Sequence, residues 1–220
     1  MHMSIDPKVL AIRLRARSDG RPSGLHSEEI TAVLRALELG VMHIDSEGRL
    51  HNNAMRAPKA GGYEFTDAQG HFIAWPELTT EVLTVVRLID DHGWPAHLIK
   101  MERTPFDVCT FATEDRAAPV VIATEEKHSP DQARTLLAQL RSFARRKLQP
   151  ADKALVDPSE RQDFPKYLGL CGFKANGETL HAPQWFVVAA PTVWRAFRVS
   201  QLTDHALLEE IDPGGLPRGD

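Results

Sequence analysis

Two acidic residues and a lysine fall in a pattern that could hydrolyse a phosphodiester. Asp107 interrupts the apolar run RTPFDVCTF, and Glu125-Glu126-Lys127 closes the run PVVIATEEK. A basic helical pattern, QARTLLAQLRSF, follows at once. Phosphodiester hydrolysis uses divalent cations to polarise a phosphoryl oxygen and to lower the pKa of the attacking water. Magnesium takes hard oxygen ligands, commonly one or two carboxylates. In a strand, residues i and i+2 share a face. A strand over 120–127 therefore projects Glu125 and Lys127 together. Asp107 joins them if 106–112 is the neighbouring strand of a hairpin. Asp107 and Glu125 would then hold the metal, and Lys127 would orient water or stabilise charge developing on phosphate. The plain alternatives are a surface ion pair worth ~0–1 kcal/mol and an Asp capping a strand beside a proline turn. An Asp half-buried in PFDVCTF is costly unless it binds something, which favours the ligand.

Positioning these groups requires a sheet and flanking helices, and the hydrophobic pattern supplies both. Residues 27–39 read as a helix with Ser27 as N-cap, an apolar stripe of Ile30, Val33, Leu34 and Leu37, and Gly40 as its stop. A hairpin, VMHID and RLHN around Ser46-Glu47-Gly48, follows. Residues 52–62 read as a linker, and YEFTDAQGHFIAW as a second hairpin. The spacing predicts a helix over 77–91 closed by Gly93, strands at 97–101, 106–112 and 119–127, and a helix opened by Ser129-Pro130. Residues 149–165 are loop-like. Strands are expected at 167–173, 185–190 and 193–199, a short helix at 202–211, and a frayed tail after it. Strand hairpins alternating with helices indicate a mixed α/β sheet core.

Five elements of the sequence fall in a recognisable order. Trp75-Pro76-Glu77 opens a helix, and Gly93-Trp94-Pro95 lies near its end. Asp107, Glu125-Glu126-Lys127 and Gln139-Leu140-Arg141-Ser142-Phe143 follow. Over residues 71–147 this set resembles the PD-(D/E)xK nuclease superfamily. The nearer resemblance is to the N-terminal nuclease domain of type I restriction-enzyme motor subunits and their stand-alone relatives. The resemblance implies an α/β, restriction-endonuclease-like mixed central sheet flanked by helices. It divides the chain into an N-terminal helix-hairpin lobe (1–58), a nuclease core (59–200), and a C-terminal helix with a tail (201–220). It implies Mg2+ or Mn2+ held by Asp107 and Glu125, with Glu77 as a further metal-facing carboxylate. Lys127 would be the catalytic lysine and Gln139 a site-facing polar residue. The plain alternatives are a helix start for Pro-Glu and a solvated helix position for Gln139. The chain departs from the family pattern at Thr124 and Glu126, where apolar residues are usual. Either the strand ends early and leaves Glu126 in water, or the register shifts by one, making Glu126 the acid and breaking its pairing with Lys127. The first reading is preferred.

Composition sets the outer bounds. The 220 residues carry 42% apolar and 25% charged side chains, as expected for a soluble globular chain with a core. No run approaches the ~18 apolar residues of a membrane span, and the N-terminus lacks the apolar segment of a signal peptide, so cytoplasm is the simple expectation. The two cysteines are far apart and suggest neither zinc nor a disulfide framework. The ten histidines fall in no metal motif. A net charge of −4 does not favour passive nucleic-acid binding, so the distribution of charge matters more. Arg134, Arg141, Arg145, Arg146 and Lys147 form a basic stretch after the acidic motif. It reads as a face tracking DNA phosphates, or as a solvated helix face with a favourable cationic C-terminus. Trp185, Phe186, Trp194 and Phe197 could stack bases, although at these spacings they more often pack a hairpin onto the sheet.

These observations point to a magnesium-dependent endonuclease acting on DNA, in a restriction or antiphage-defence setting by resemblance. No Walker-type motor motif is present, so recognition or translocation would come from a partner subunit. A homodimer is one way such enzymes cut both strands. The contrasting reading is a nuclease-like module that binds or assembles without cutting.

Overall fold

A computed structural model describes residues 26–44, 50–52, 76–103, 105–115, 118–174, 176–179, 181–202 and 205–219. The side chains at 44, 50–52, 76–77 and 102–103 lie outside this description, as do residues 53–62 of the linker expected at 52–62 and the second hairpin at 63–75; Asn52 itself ends a strand. The architecture is mixed α/β. Helices α1 (Ser27–Glu38) and α2 (Pro76–Asp90) flank one face of a six-stranded sheet, and α3 (Pro130–Arg146) and α4 (Phe164–Leu170) flank the other. The strands are β3 (Ile99–Arg103), β4 (Phe106–Phe111), β5 (Val120–Glu126), β6 (Trp185–Ala190), β7 (Val193–Gln201) and β8 (Ala206–Ile211). They lie in chain order, and only β5 and β6 run parallel. The hairpin expected after α1 is formed by β1 (Met42–Ile44) and β2 (Leu50–Asn52), a separate two-stranded sheet whose Met42 joins the core of α1 and α2.

Strand periodicity divides the core in two. Ile122 of β5, Val187 of β6 and Ala196 of β7 join α1 and α2 on one face. Their neighbours Ala123, Phe186, Val188 and Phe197 join α3 and α4 on the other. Both faces of the central strands are therefore apolar, the expected pattern where helices cover a sheet on each side. The α1–α2 pair is also tied by polar contacts. Glu29, 2% exposed, accepts hydrogen bonds from the Thr79 (2.7 Å) and Thr80 (3.1 Å) hydroxyls. Its other oxygen accepts from the His26 backbone N–H (2.8 Å), so His26, not Ser27, is the N-cap. Ser129 caps α3 as expected, accepting from Gln132 N–H, with Pro130 in the first turn.

Four further expectations are corrected. Of the run expected as a strand at 167–173, residues 167–170 belong to α4 instead, and Phe173 makes an isolated bridge with Thr179. Pro165 pre-sets its first turn, and Phe164, Tyr167 and Leu168 bury one helical face. A short apolar run does not reveal its own period. A helix is expected at 202–211, but 206–211 form the strand β8, which completes the ladder of β7 and exposes Leu207 while burying Ala206. The expected strand at 97–101 begins with a 3-10 turn, Ala96–Leu98, before β3. The tail is also docked rather than frayed. Leu216 is buried, Trp94 Nε1 donates to the Pro217 carbonyl (3.0 Å), and Gly219 N–H donates to the His92 carbonyl (3.1 Å).

Candidate active site

The motif residues meet at the C-terminal end of β5. The β4–β5 register pairs Val108 with Thr124 and Cys109 with Ala123. One step further along this antiparallel ladder sets Asp107 opposite Glu125. Strand alternation puts Glu125 on the α3/α4 face with Ala123 and sends Thr124 and Glu126 to the α2 face with Ile122. Lys127 follows Glu125 in period: its Nζ donates to Glu125 Oε2 (3.1 Å) and to the Glu126 carbonyl (3.0 Å). Asp107 is half-buried, and its Oδ2 accepts the Glu126 backbone N–H (2.9 Å). The structure thus brings Asp107, Glu125 and Lys127 together.

Glu126 resolves the two sequence alternatives against both. It is 1% exposed, so it does not lie in water, and Lys127 pairs with Glu125, so the register is not shifted. Its Oε1 accepts the Thr124 hydroxyl (2.7 Å), and Thr84 of α2 lies beside it. Burial, with the Asp107 charge adding to it, pushes its pKa well above the usual carboxylate range. A neutral Glu126 removes most of the cost of placing a carboxyl in a core.

Glu125 is fully buried and is drawn two ways. Burial and the Asp107 charge raise its pKa to about 8, while Lys166 and Lys127 pull it down. Its Oε2 accepts from both ammonium groups. Its Oε1 is sealed from solvent without a hydrogen-bond partner. A hard divalent cation fits this donor set, because an orphaned carboxylate oxygen beside a second carboxylate is a harder ligand pair than any histidine or thiol site. Among the described residues no three His, Cys, Asp or Glu side chains form a metal-holding group. A cation here would thus take Asp107 and Glu125 and complete its shell with water and phosphate, which is how magnesium is commonly held.

Lys166 escaped the sequence reading. It lies on α4, 41 positions beyond Glu125, and touches Glu125 Oε2 with only 15% of its side chain exposed. Burial works against its charge, yet Glu125 and Asp107 outweigh that and raise its pKa. Asp163 Oδ1 lies 3.6 Å from the same ammonium. No local pattern links Lys166 to Glu125, and reading this segment as a strand hid the helix that carries it.

The remaining expectations divide. Glu77 lies in the first turn of α2, and its side chain is outside the described residues. Gln139 is half-buried, and its Oε1 is sealed without a hydrogen-bond partner. Gln132 is in the same state two turns earlier on the same flank of α3. Neither glutamine has a described contact with the Glu125 cluster. Arg134, Arg141, Arg145, Arg146 and Lys147 are all exposed. Arg134, Arg141 and Arg145 recur on one stripe of α3, where Arg134 pairs with Asp131, and Arg146 is engaged by Glu160 (3.3 Å) and the Leu155 carbonyl (2.9 Å). Phe186 and Phe197 are core residues with ring centroids 6.4 Å apart, so they offer no stacking platform. Trp185 and Trp194 are half-buried beneath Arg198 and Arg87.

No helix among the described residues is long and apolar enough to cross a membrane. No family model, curated protein or solved structure matches this chain.

Proposed function

We propose that this chain is a metal-dependent nuclease of the PD-(D/E)xK type that hydrolyses DNA phosphodiesters. The observation that carries the reading is the meeting of Asp107, Glu125 and Lys127 on one side of β5, with Glu125 Oε1 left without a protein partner. The order of elements supports it: a helix, Gly93-Trp94-Pro95, the Asp107 strand, the Glu125-Lys127 strand, then a helix bearing Gln139. Magnesium or manganese, when bound, supplies Lewis-acid polarisation and a water of lowered pKa. Asp107 and Glu125 hold the cation, and the Glu126 N–H keeps Asp107 oriented. Lys127 places a positive charge where charge develops on phosphate. Arg134, Arg141 and Arg145 provide a solvent-facing stripe for the DNA backbone. A setting in restriction or antiphage defence, with recognition supplied by a partner subunit, follows from the resemblance alone.

A second reading, a binding or assembly module without cleavage, is favoured by one observation. Glu125 Oε2 already carries two ammonium contacts. The deciding experiment is cleavage of supercoiled plasmid and of linear single- and double-stranded DNA in magnesium, manganese or EDTA. Wild type is compared with Lys127→Ala and Asp107→Ala. The nuclease reading expects metal-dependent cutting by wild type and a loss of at least about a hundredfold in each variant, in the range expected for removing an electrostatic catalytic group. A fully active Asp107→Ala protein ends it.

A further inference from the structure

We infer that the Lys166 ammonium is a tethered cation that occupies Glu125 Oε2 until a divalent ion displaces it. The inference rests on the reading of Glu125 and Asp107 as a metal site. Two lysines share Glu125 Oε2, but they are held differently. Lys127 is also anchored by the Glu126 carbonyl at 3.0 Å. Lys166 has a second carboxylate to go to, Asp163, the N-cap residue of its own helix, 3.6 Å away. An ammonium on a flexible four-carbon stem can change acceptors without moving its backbone.

The backbone beneath it is held in place. A Cβ on Gly169 would lie 2.7 Å from Pro105 Cγ and 2.8 Å from the Phe106 ring, so α4 is seated directly against the residues that precede Asp107. Phe164 and Tyr167 pack on Phe143 of α3, with centroids 5.5 and 5.7 Å apart. The fixed helix delivers Lys166 to the carboxylate pair, and its side chain is the movable part. A divalent ion at Glu125 would repel this ammonium at close range. Transfer to Asp163 keeps the charge paired and opens Glu125 to the metal. Metal binding is then an exchange of cations, and its strength depends on Lys166 and Asp163 as well as on the ligands.

The test is calorimetric titration of MnCl2 into the full-length protein, with thermal melts to confirm folding. Lys166→Met removes the competitor and is expected to bind Mn2+ roughly tenfold or more tightly than wild type. Lys166→Arg keeps the charge and stays close to wild type. Asp163→Asn removes the exit acceptor and is expected to weaken binding, so that Lys166→Met and Asp163→Asn move the affinity in opposite directions. Glu125→Gln should abolish binding. If wild type binds Mn2+ through Glu125 but Lys166→Met or Asp163→Asn leaves the affinity unchanged, this inference is overturned and the nuclease reading stands. If neither wild type nor Lys166→Met binds Mn2+, the metal site itself fails and the inference falls with it.

Discussion

Glu125 and Glu126 are adjacent in sequence, yet the strand sends them into different cores with different partners. Glu125 faces two lysines and Asp107, and its pKa lies near 8 because burial and Asp107 outweigh the lysines. Glu126 meets Thr124 and Thr84, and burial raises its pKa well above the usual range. Both folded-state values exceed the ordinary value of 4.5, so the folded chain holds protons that the unfolded chain releases. Stability from Glu125 is thus fully present below about pH 4.5 and is lost as pH rises through about 8, and the raised pKa of Glu126 acts in the same direction. Without metal, the melting temperature should fall across that window, and Glu126→Gln should flatten the fall. The Gln carbonyl can still accept the Thr124 hydroxyl, and no ionisation remains to be suppressed. A melting temperature independent of pH would contradict the burial of both carboxyls. Mn2+ should reverse the trend by favouring ionised Glu125. Near pH 7 its binding should release up to one proton, read from calorimetric enthalpies in buffers of different ionisation heat.

At the scale of elements, α4 is decisive and α3 is the more conventional. Ser129, Pro130 and the buried stripe Ala133, Leu136, Leu137, Leu140 and Phe143 define α3 without help from the rest of the fold. Replacing Ser129 by Ala should cost ~0.5–2 kcal/mol in chemical denaturation, the usual loss for an N-cap. The seven-residue α4 is too short to be stable alone and depends on packing against β4 and α3. Gly169→Ala should therefore act at a distance. Its methyl group has no room against Pro105 and Phe106, an overpacking of roughly 1–3 kcal/mol. Any retreat of α4 also draws Lys166 away from Glu125. The expected outcome is a lower denaturation midpoint together with altered Mn2+ affinity. A loss of stability with unchanged affinity would show that the helix recoils without moving its lysine.

For the whole molecule, the C-terminal segment closes the face that carries α2. Leu216 joins the core of α1 and α2, and Trp94 and His92 bond to the backbone after it. Removing residues 213–220 should destabilise the protein by roughly 1.5–3 kcal/mol from Leu216 alone. It should also red-shift the tryptophan emission, a shift that Trp94→Phe abolishes. Unchanged emission would place Trp94 in water already. Metal acts on the same global equilibrium. A cation bound only by the folded state adds RT ln(1 + [L]/Kd), so magnesium or manganese should raise the melting temperature of wild type but not of Glu125→Gln.

Much of this arrangement was legible in the chain. Period-two alternation placed Glu125 and Lys127 on one side of a strand, and the Ser129-Pro130 signal began α3 at the right residue. Both are local rules, set by backbone geometry within a few residues. What local rules could not reach was decided by tertiary packing. The segment at 167–173 became helical in part, and 206–211 became a strand, because a neighbouring core or an open sheet edge selects between states of similar local energy. Glu126 went into the interior because the strand continued past Glu125, where two threonine hydroxyls stood close to its carboxyl. Lys166 reached Glu125 only because the fold brought residues 41 positions apart into contact. The sequence by itself determined the carboxylate–lysine motif and the elements that bear it. The tertiary structure alone decided which charges surround Glu125, because a buried carboxyl takes its properties from neighbours that are close in space and remote along the chain.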